Sequence, residues 1–234
     1  MFSPQNDYYA SSSNSLANFM QKIYLWMTSG LMITGLVAHG LYVNKTILMT
    51  ILSFRWSMLL LFGGQLALVA ALSFFIQRMS YGTALLAYFV YATSVGITFA
   101  PIFFIYRIES IGMVFGITAG MFAIMAMYGY ATKADLSRFR SILFMGLMGI
   151  IIASLTNMYF QNSMADLIIS YVGVIIFTAL IAYDVQKIKW IYQGAMGNQE
   201  LENKVSIICA LTLYLDFINL FLMLLRILGN RRND

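Results

Sequence analysis

Apolar residues in this chain neither alternate nor mark one face of a helix. They run on for about 20 residues at a time with scarcely a charge among them, enough for a helix to cross roughly 30 Å of hydrocarbon. The pattern predicts seven membrane-spanning helices, at roughly 21–43, 51–76, 82–105, 110–131, 141–160, 166–192 and 205–228. Strands of a membrane barrel would instead alternate over short segments. The connections are short, so neighbouring helices run antiparallel in one bundle. The fold expected is an all-α integral membrane protein, a seven-helix bundle forming a single domain over 21–229. A polar N-terminal tail at 1–20, read as mobile, and a basic C-terminal tail at 230–234 flank it. Small residues in "GLMITGLVAHG", "GITAG" and "GLMG" suit close helix approach in lipid. No internal repeat of the kind that builds two-halved transporters is visible.

Composition agrees. Of 234 residues 61% are hydrophobic and only 10% charged, against about a quarter charged in soluble domains. The net charge of +5 comes from Lys and Arg at the edges of the apolar runs, so it implies the lipid bilayer as partner rather than nucleic acid. With the N-terminus in the cytoplasm, that side collects Lys22, Arg78, Lys133, Arg138, Arg140, Lys187, Lys189 and Lys204. The other side takes Lys45, Arg55, Arg107, Arg226, Arg231 and Arg232. Eight against six favours a cytoplasmic N-terminus, while the basic C-terminus pulls the other way and would suit a re-entrant last segment. Cys209 is the single cysteine, so no intrachain disulfide forms. The first residues lack the basic start and cleavage site of a signal peptide. The 17 Met and 18 Phe are read as bundle filling, and no cofactor is implied.

Charges inside a span are costly, and by default they face the interior, find a partner and mark a functional path. Asp7, Glu109, Asp135, Asp166, Glu200, Glu202 and Asp234 fall in tails or loops, where they read as solvated. Asp184, in "IAYDVQKIKW", and Asp216, in "LTLYLDFINLF", do not. Asp216 lies about twelve residues from Lys204 and ten from Arg226, near mid-span at about 1.5 Å per residue. Asp184 lies about two turns inside its boundary, with Trp190 and Tyr192 as interfacial anchors. A short loop joins their helices, so the two carboxylates approach from one side and can meet. Two carboxylates at close range cannot both ionise cheaply. Such a pair shares a proton, titrates as a unit and can sense pH without a histidine. His39, the lone histidine, reads as a packed or interfacial residue. A buried anionic pair also wants a cation, and Arg78, ending the second run in "FFIQRMSYG", reaches the same face. Carboxylates are hard oxygen ligands of the kind Ca²⁺ prefers, so the site can serve as a cation path and bind Ca²⁺ transiently.

These residues carry a resemblance. "AYDVQKIK" closing the sixth span and "LYLDFINLFLMLLRILG" as the seventh resemble the signature of the transmembrane Bax inhibitor motif family, with "SVGITFAPIF" and the Arg78 segment in further agreement. The resemblance implies a proton-sensitive calcium leak through a seven-helix bundle. It makes Asp184 and Asp216 the pH sensor and Arg78 the latch that holds the closed state. A short polar N-terminus looks more like a bacterial member, which implies the bacterial inner membrane.

Two other classes compete. Intramembrane aspartyl proteases also pair a "YD" with an aspartate on the next span, but they need a glycine-flanked "GxGD" where "LYLD" stands here. Their Pro-containing motif is also missing, since the chain has only Pro4 and Pro101. No enzymatic activity is therefore expected. The alternative is an interaction protein that restrains a membrane-embedded quality-control protease, as some bacterial relatives are said to do, with residues 1–20 as the handle.

Overall fold

The structure is a computed structural model that describes residues 4–232, with side chains from Ser15 onward. Among the described residues every regular element is helical. They are α1 (Pro4–Val43), α2 (Lys45–Ser53), α3 (Ser57–Phe75), α4 (Tyr81–Phe99), α5 (Ile102–Ile105), α6 (Ile108–Ala131), a 3-10 turn (Leu136–Phe139), α7 (Arg140–Phe160), α8 (Ser163–Ala195) and α9 (Gln199–Leu228). Six stretches are long and apolar enough to cross a membrane alone, and the bent pair α1–α2 makes a seventh if counted as one span. The chain is thus an all-α, multi-pass membrane protein.

The observed ends differ from the expected ones for local reasons. The run expected at 51–76 is two pieces. Residues up to Ser53 complete α2, and helix resumes only at Ser57. Nine residues at roughly 1.5 Å each cannot cross a bilayer, and α2 turns away from α1 by 97°. Arg55 lies over the Trp56 ring in the break, the company expected of residues at a membrane boundary. The polar stretch 1–20 is helical from Pro4 on, as the first part of α1, while 1–3 and, in the basic tail, 233–234 lie outside the described residues. At α8 and α9 the helices begin earlier than hydropathy suggests because asparagines cap them. Asn162 Oδ1 accepts from Ala165 N–H and Asn198 Oδ1 from Leu201 N–H. Gly197 (φ 90°) gives the left-handed turn between them that a side chain would resist.

Contacts divide the chain into two compact units. The first holds residues up to Ala100 with Lys189–Leu211. In it α1 packs along α4, which also meets α3. Thr34 Oγ1 donates to the Ala92 carbonyl at 2.9 Å and Tyr88 Oη to the Trp26 carbonyl at 2.9 Å. A Cβ on Gly96 would lie 2.8 Å from Thr34 O, so the glycine lets the two backbones close up.

The second unit holds Pro101–Ile188 and residues from Thr212 on. Tight glycines between helices here include Gly129 of α6, whose Cβ would collide with the Ala182 carbonyl of α8, Gly146 of α7, against Ile176, and Gly173 of α8, against Met223 of α9. The "GITAG" glycines, Gly116 and Gly120, have open space instead, as do Gly35, Gly40 and Gly149 of the other two motifs, whereas Gly146 makes a close approach. After α9 the backbone is strapped to the α5–α6 connection. Arg107 N–H donates to the Asn230 carbonyl, Arg232 N–H to the Ile105 carbonyl and Asn230 N–H to Ser110 Oγ. The last helix is one uninterrupted 30-residue element, so the re-entrant alternative does not hold. It is also the most enclosed, with 72% of its apolar window buried against 6–33% for the other five unbent spans.

Gly129→Ala should overpack α6 against α8 and cost about 1–3 kcal/mol. Gly116→Ala, facing open space, should gain up to about 1 kcal/mol from helix propensity. Thermal unfolding of the two variants in detergent checks this, and equal melting temperatures would contradict the packing described.

Candidate functional site

The second unit brings the two stranded acids together. Asp184 on α8 and Asp216 on α9 are 8% and 6% exposed, and their carboxyls lie within hydrogen-bonding reach of each other. Packing on both sides sets this geometry. Gly129 of α6 rests on the backbone of Ala182, just before Asp184, and Phe217, next to Asp216, meets Phe115 and Phe122 of α6 at centroid distances of 5.2 and 5.8 Å. One helix therefore buttresses both acids. Side-chain rotation away from the pair would have to displace aromatic rings or backbone.

The polar balance of the pair is incomplete. Lys187 Nζ stands 3.6 Å from Asp184 Oδ1, one helical turn on, with its side chain 47% exposed and over the Tyr183 ring. Asp216 Oδ2 is buried and finds no hydrogen-bond donor among the described residues. A buried carboxylate oxygen left so is expensive, and a proton or a cation relieves the cost.

Gln186 fastens the site to the connection before α7. Its Nε2 donates to the Ala134 carbonyl at 2.7 Å, and its Oε1 accepts from Leu136 N–H at 2.9 Å. In the same connection Asp135 accepts from Ser137, and these bonds hold its carboxyl below the usual range. Sequence reasoning passed over Gln186 and took Lys187 only as a boundary charge. The signals were present in "YDVQKIK". A buried amide sits two residues after the acid, and a lysine at i+3 lies on the acid's own helix face.

The other candidates fall elsewhere. Arg78 belongs to the first unit, where it is exposed in the turn after α3. His39 is exposed, with its ring 6.2 Å from that of Tyr42. Two acids read as merely solvated form ion pairs: Asp166 with Arg226 at 3.0 Å and Glu200 with Lys204 at 2.6 Å. Among the described residues no group of three or more His, Cys, Asp or Glu side chains gathers. Ca²⁺ takes six to eight oxygens, so two carboxylates alone suit a passing ion better than a resident one.

The family described as "Inhibitor of apoptosis-promoting Bax1" matches residues 16–233, a stretch that includes both acids. The chain belongs to this family. It is 43% identical over 235 residues to the inner membrane protein YbhL of Escherichia coli (strain K12), covering 98% of each chain. It is 44% identical over 216 residues to an uncharacterized protein of Borreliella burgdorferi, covering 92% of this chain and 93% of that one. An uncharacterized protein of Rickettsia prowazekii is 40% identical over 220 residues, covering 93% and 92%. The Bax1-inhibitor resemblance seen in "AYDVQKIK" and "LYLDFINLF" is thus a family relation that spans the chain.

Gln186→Leu would strand the Leu136 N–H and the Ala134 carbonyl, at a cost of about 1–3 kcal/mol. The expected result is a lower melting temperature together with faster proteolysis within residues 132–139. Unchanged cleavage there would contradict the tie.

Proposed function

We propose that the chain is a pH-gated cation leak of the bacterial inner membrane, passing Ca²⁺, with Asp184 and Asp216 as its proton sensor. One observation carries this: two buried carboxyls face each other on successive helices, and an oxygen of the deeper one has no donor. The inner-membrane relative supports the location. The class of activity is the one implied by the resemblance carried in "AYDVQKIK" and "LYLDFINLF".

The chemistry follows from electrostatics in a medium of low dielectric constant. With one proton between them, the acids carry a single negative charge that the Lys187 ammonium can balance. Raising the pH removes that proton and leaves two negative charges side by side. Repulsion then either separates the carboxyls, moving α8 against α9, or draws in a further cation. Ca²⁺ in transit is one such cation. A guanidinium is another, and the latch expected of Arg78 belongs to this reading. Its effect is to occupy the anionic pair and hold the closed state, which a bidentate Arg–carboxylate contact does better than a lysine. Lys187 would compete for the same charge, so its removal should favour entry of mobile cations.

Purified protein in liposomes loaded with a calcium dye should give an influx that changes with external pH. Asp216→Asn and Asp184→Asn should each abolish the pH dependence, and wild-type behaviour in both would sink the sensor assignment. Arg78→Ala should leak more, by severalfold, at a pH where the wild type is shut. Less leak would argue against the latch.

A further inference from the structure

The first unit holds a polar recess that no part of the leak mechanism uses. It has a volume of about 420 Å³ and lies between the early part of α1 and the α8–α9 turn. Its floor is aromatic, formed by the Phe19 and Tyr192 rings at a centroid distance of 4.9 Å. Its wall carries a cation and an anion. Lys22 donates from Nζ to Asn203 Oδ1 and sits 5.3 Å from the centre of the Tyr81 ring, so its ammonium is held in place rather than waving in solvent. The Glu202 carboxylate is close enough to act on that charge, and its Oε1 accepts from Gly197 N–H, which fixes it to the turn. Asn18 completes the lining with further amide donors and acceptors.

This combination has a specific meaning at the edge of a membrane helix bundle. The recess sits where α8 ends and α9 begins and is lined by Tyr192, a residue type that occupies the headgroup layer. A lysine in that layer is a point-charge phosphate binder, and a carboxylate with neighbouring amides suits a primary ammonium, which has three N–H donors to place. A purely anionic headgroup would meet Glu202 as a repulsive neighbour, so the recess discriminates as well as attracts. The volume is in the range of ordinary small-ligand sites.

We propose that this recess binds a phosphate-bearing zwitterion with a primary ammonium, its phosphate on Lys22 and its ammonium on Glu202. The same chemistry occurs in a phosphatidylethanolamine headgroup and in free phosphoethanolamine. Binding there ties α1 to the α8–α9 turn. It is independent of the acid pair and of cation flux.

The test uses full-length protein in detergent, stripped of lipid and titrated by native mass spectrometry with phosphatidylethanolamine, phosphatidylglycerol and soluble phosphoethanolamine. Wild type should bind phosphatidylethanolamine at least about tenfold more tightly than phosphatidylglycerol, which corresponds to about 1.4 kcal/mol. Lys22→Met should weaken both lipids, and Glu202→Gln should erase the preference while leaving phosphatidylglycerol binding intact or improved. If soluble phosphoethanolamine binds as tightly as the lipid, the ligand is the free zwitterion. If it binds far more weakly, the ligand is the membrane lipid. Equal binding of the two lipids by wild type would overturn the proposal. So would a preference that survives Glu202→Gln, a partly exposed position whose loss does not threaten folding.

Discussion

A carboxyl group in the interior of a membrane protein has few stable arrangements: it keeps a proton, finds a cation, or has its oxygens supplied with donors. Asp184 and Asp216 share one small volume, and between them they have a single ammonium at 3.6 Å and one oxygen with no donor. Neither full ionisation nor full isolation is cheap there. That constraint gives the packing around the pair its meaning. The surroundings have to keep two groups together that would repel once both are charged.

The second unit does this with backbone and rings rather than with flexible chains. Gly129 brings α6 onto the backbone of α8 beside Asp184, and the Phe115–Phe122 face of the same helix holds Phe217 beside Asp216. Gln186 ties the acid's helix to the connection that follows α6. Asp166 and Arg226 join the start of α8 to the end of α9, and the strap from Gly229 onward fixes the chain's end to residues 103–110. The part of the molecule that carries the charge is thereby braced at both ends of the two helices. A local change in protonation can be expressed as movement of whole helices more readily than as side-chain rearrangement.

Much of this was legible in the chain. Long apolar runs are a direct consequence of the bilayer's thickness, so the spans could be read without any partner information, and two acids inside apolar runs, one near mid-span and one about two turns from a boundary, announce themselves by cost alone. The same logic failed where local chemistry overrides hydropathy. Lys45–Ser53 is as apolar as a span yet too short for one, and its separation from α3 depends on a break at Arg55 and Trp56 that average hydropathy smooths away. Glycine motifs were a poor guide too. What makes Gly129 matter is the carbonyl of Ala182 facing it, a residue 53 positions along the chain, and no spacing rule points there. Gln186 was missed for the reverse reason: an amide near a helix end looks ordinary until its two partners in the distant connection are seen.

The central claim is that the two acids hold one proton between them at neutral pH and lose it as a unit. Infrared difference spectroscopy of the protein in lipid, taken through a pH titration, measures it most directly. The carbonyl stretch of a protonated carboxylic acid should be present at neutral pH, disappear as the medium turns alkaline, and be altered or absent in both Asp184→Asn and Asp216→Asn. A spectrum showing both side chains ionised at neutral pH, or a protonated carboxyl band unchanged in the two variants, would contradict the account.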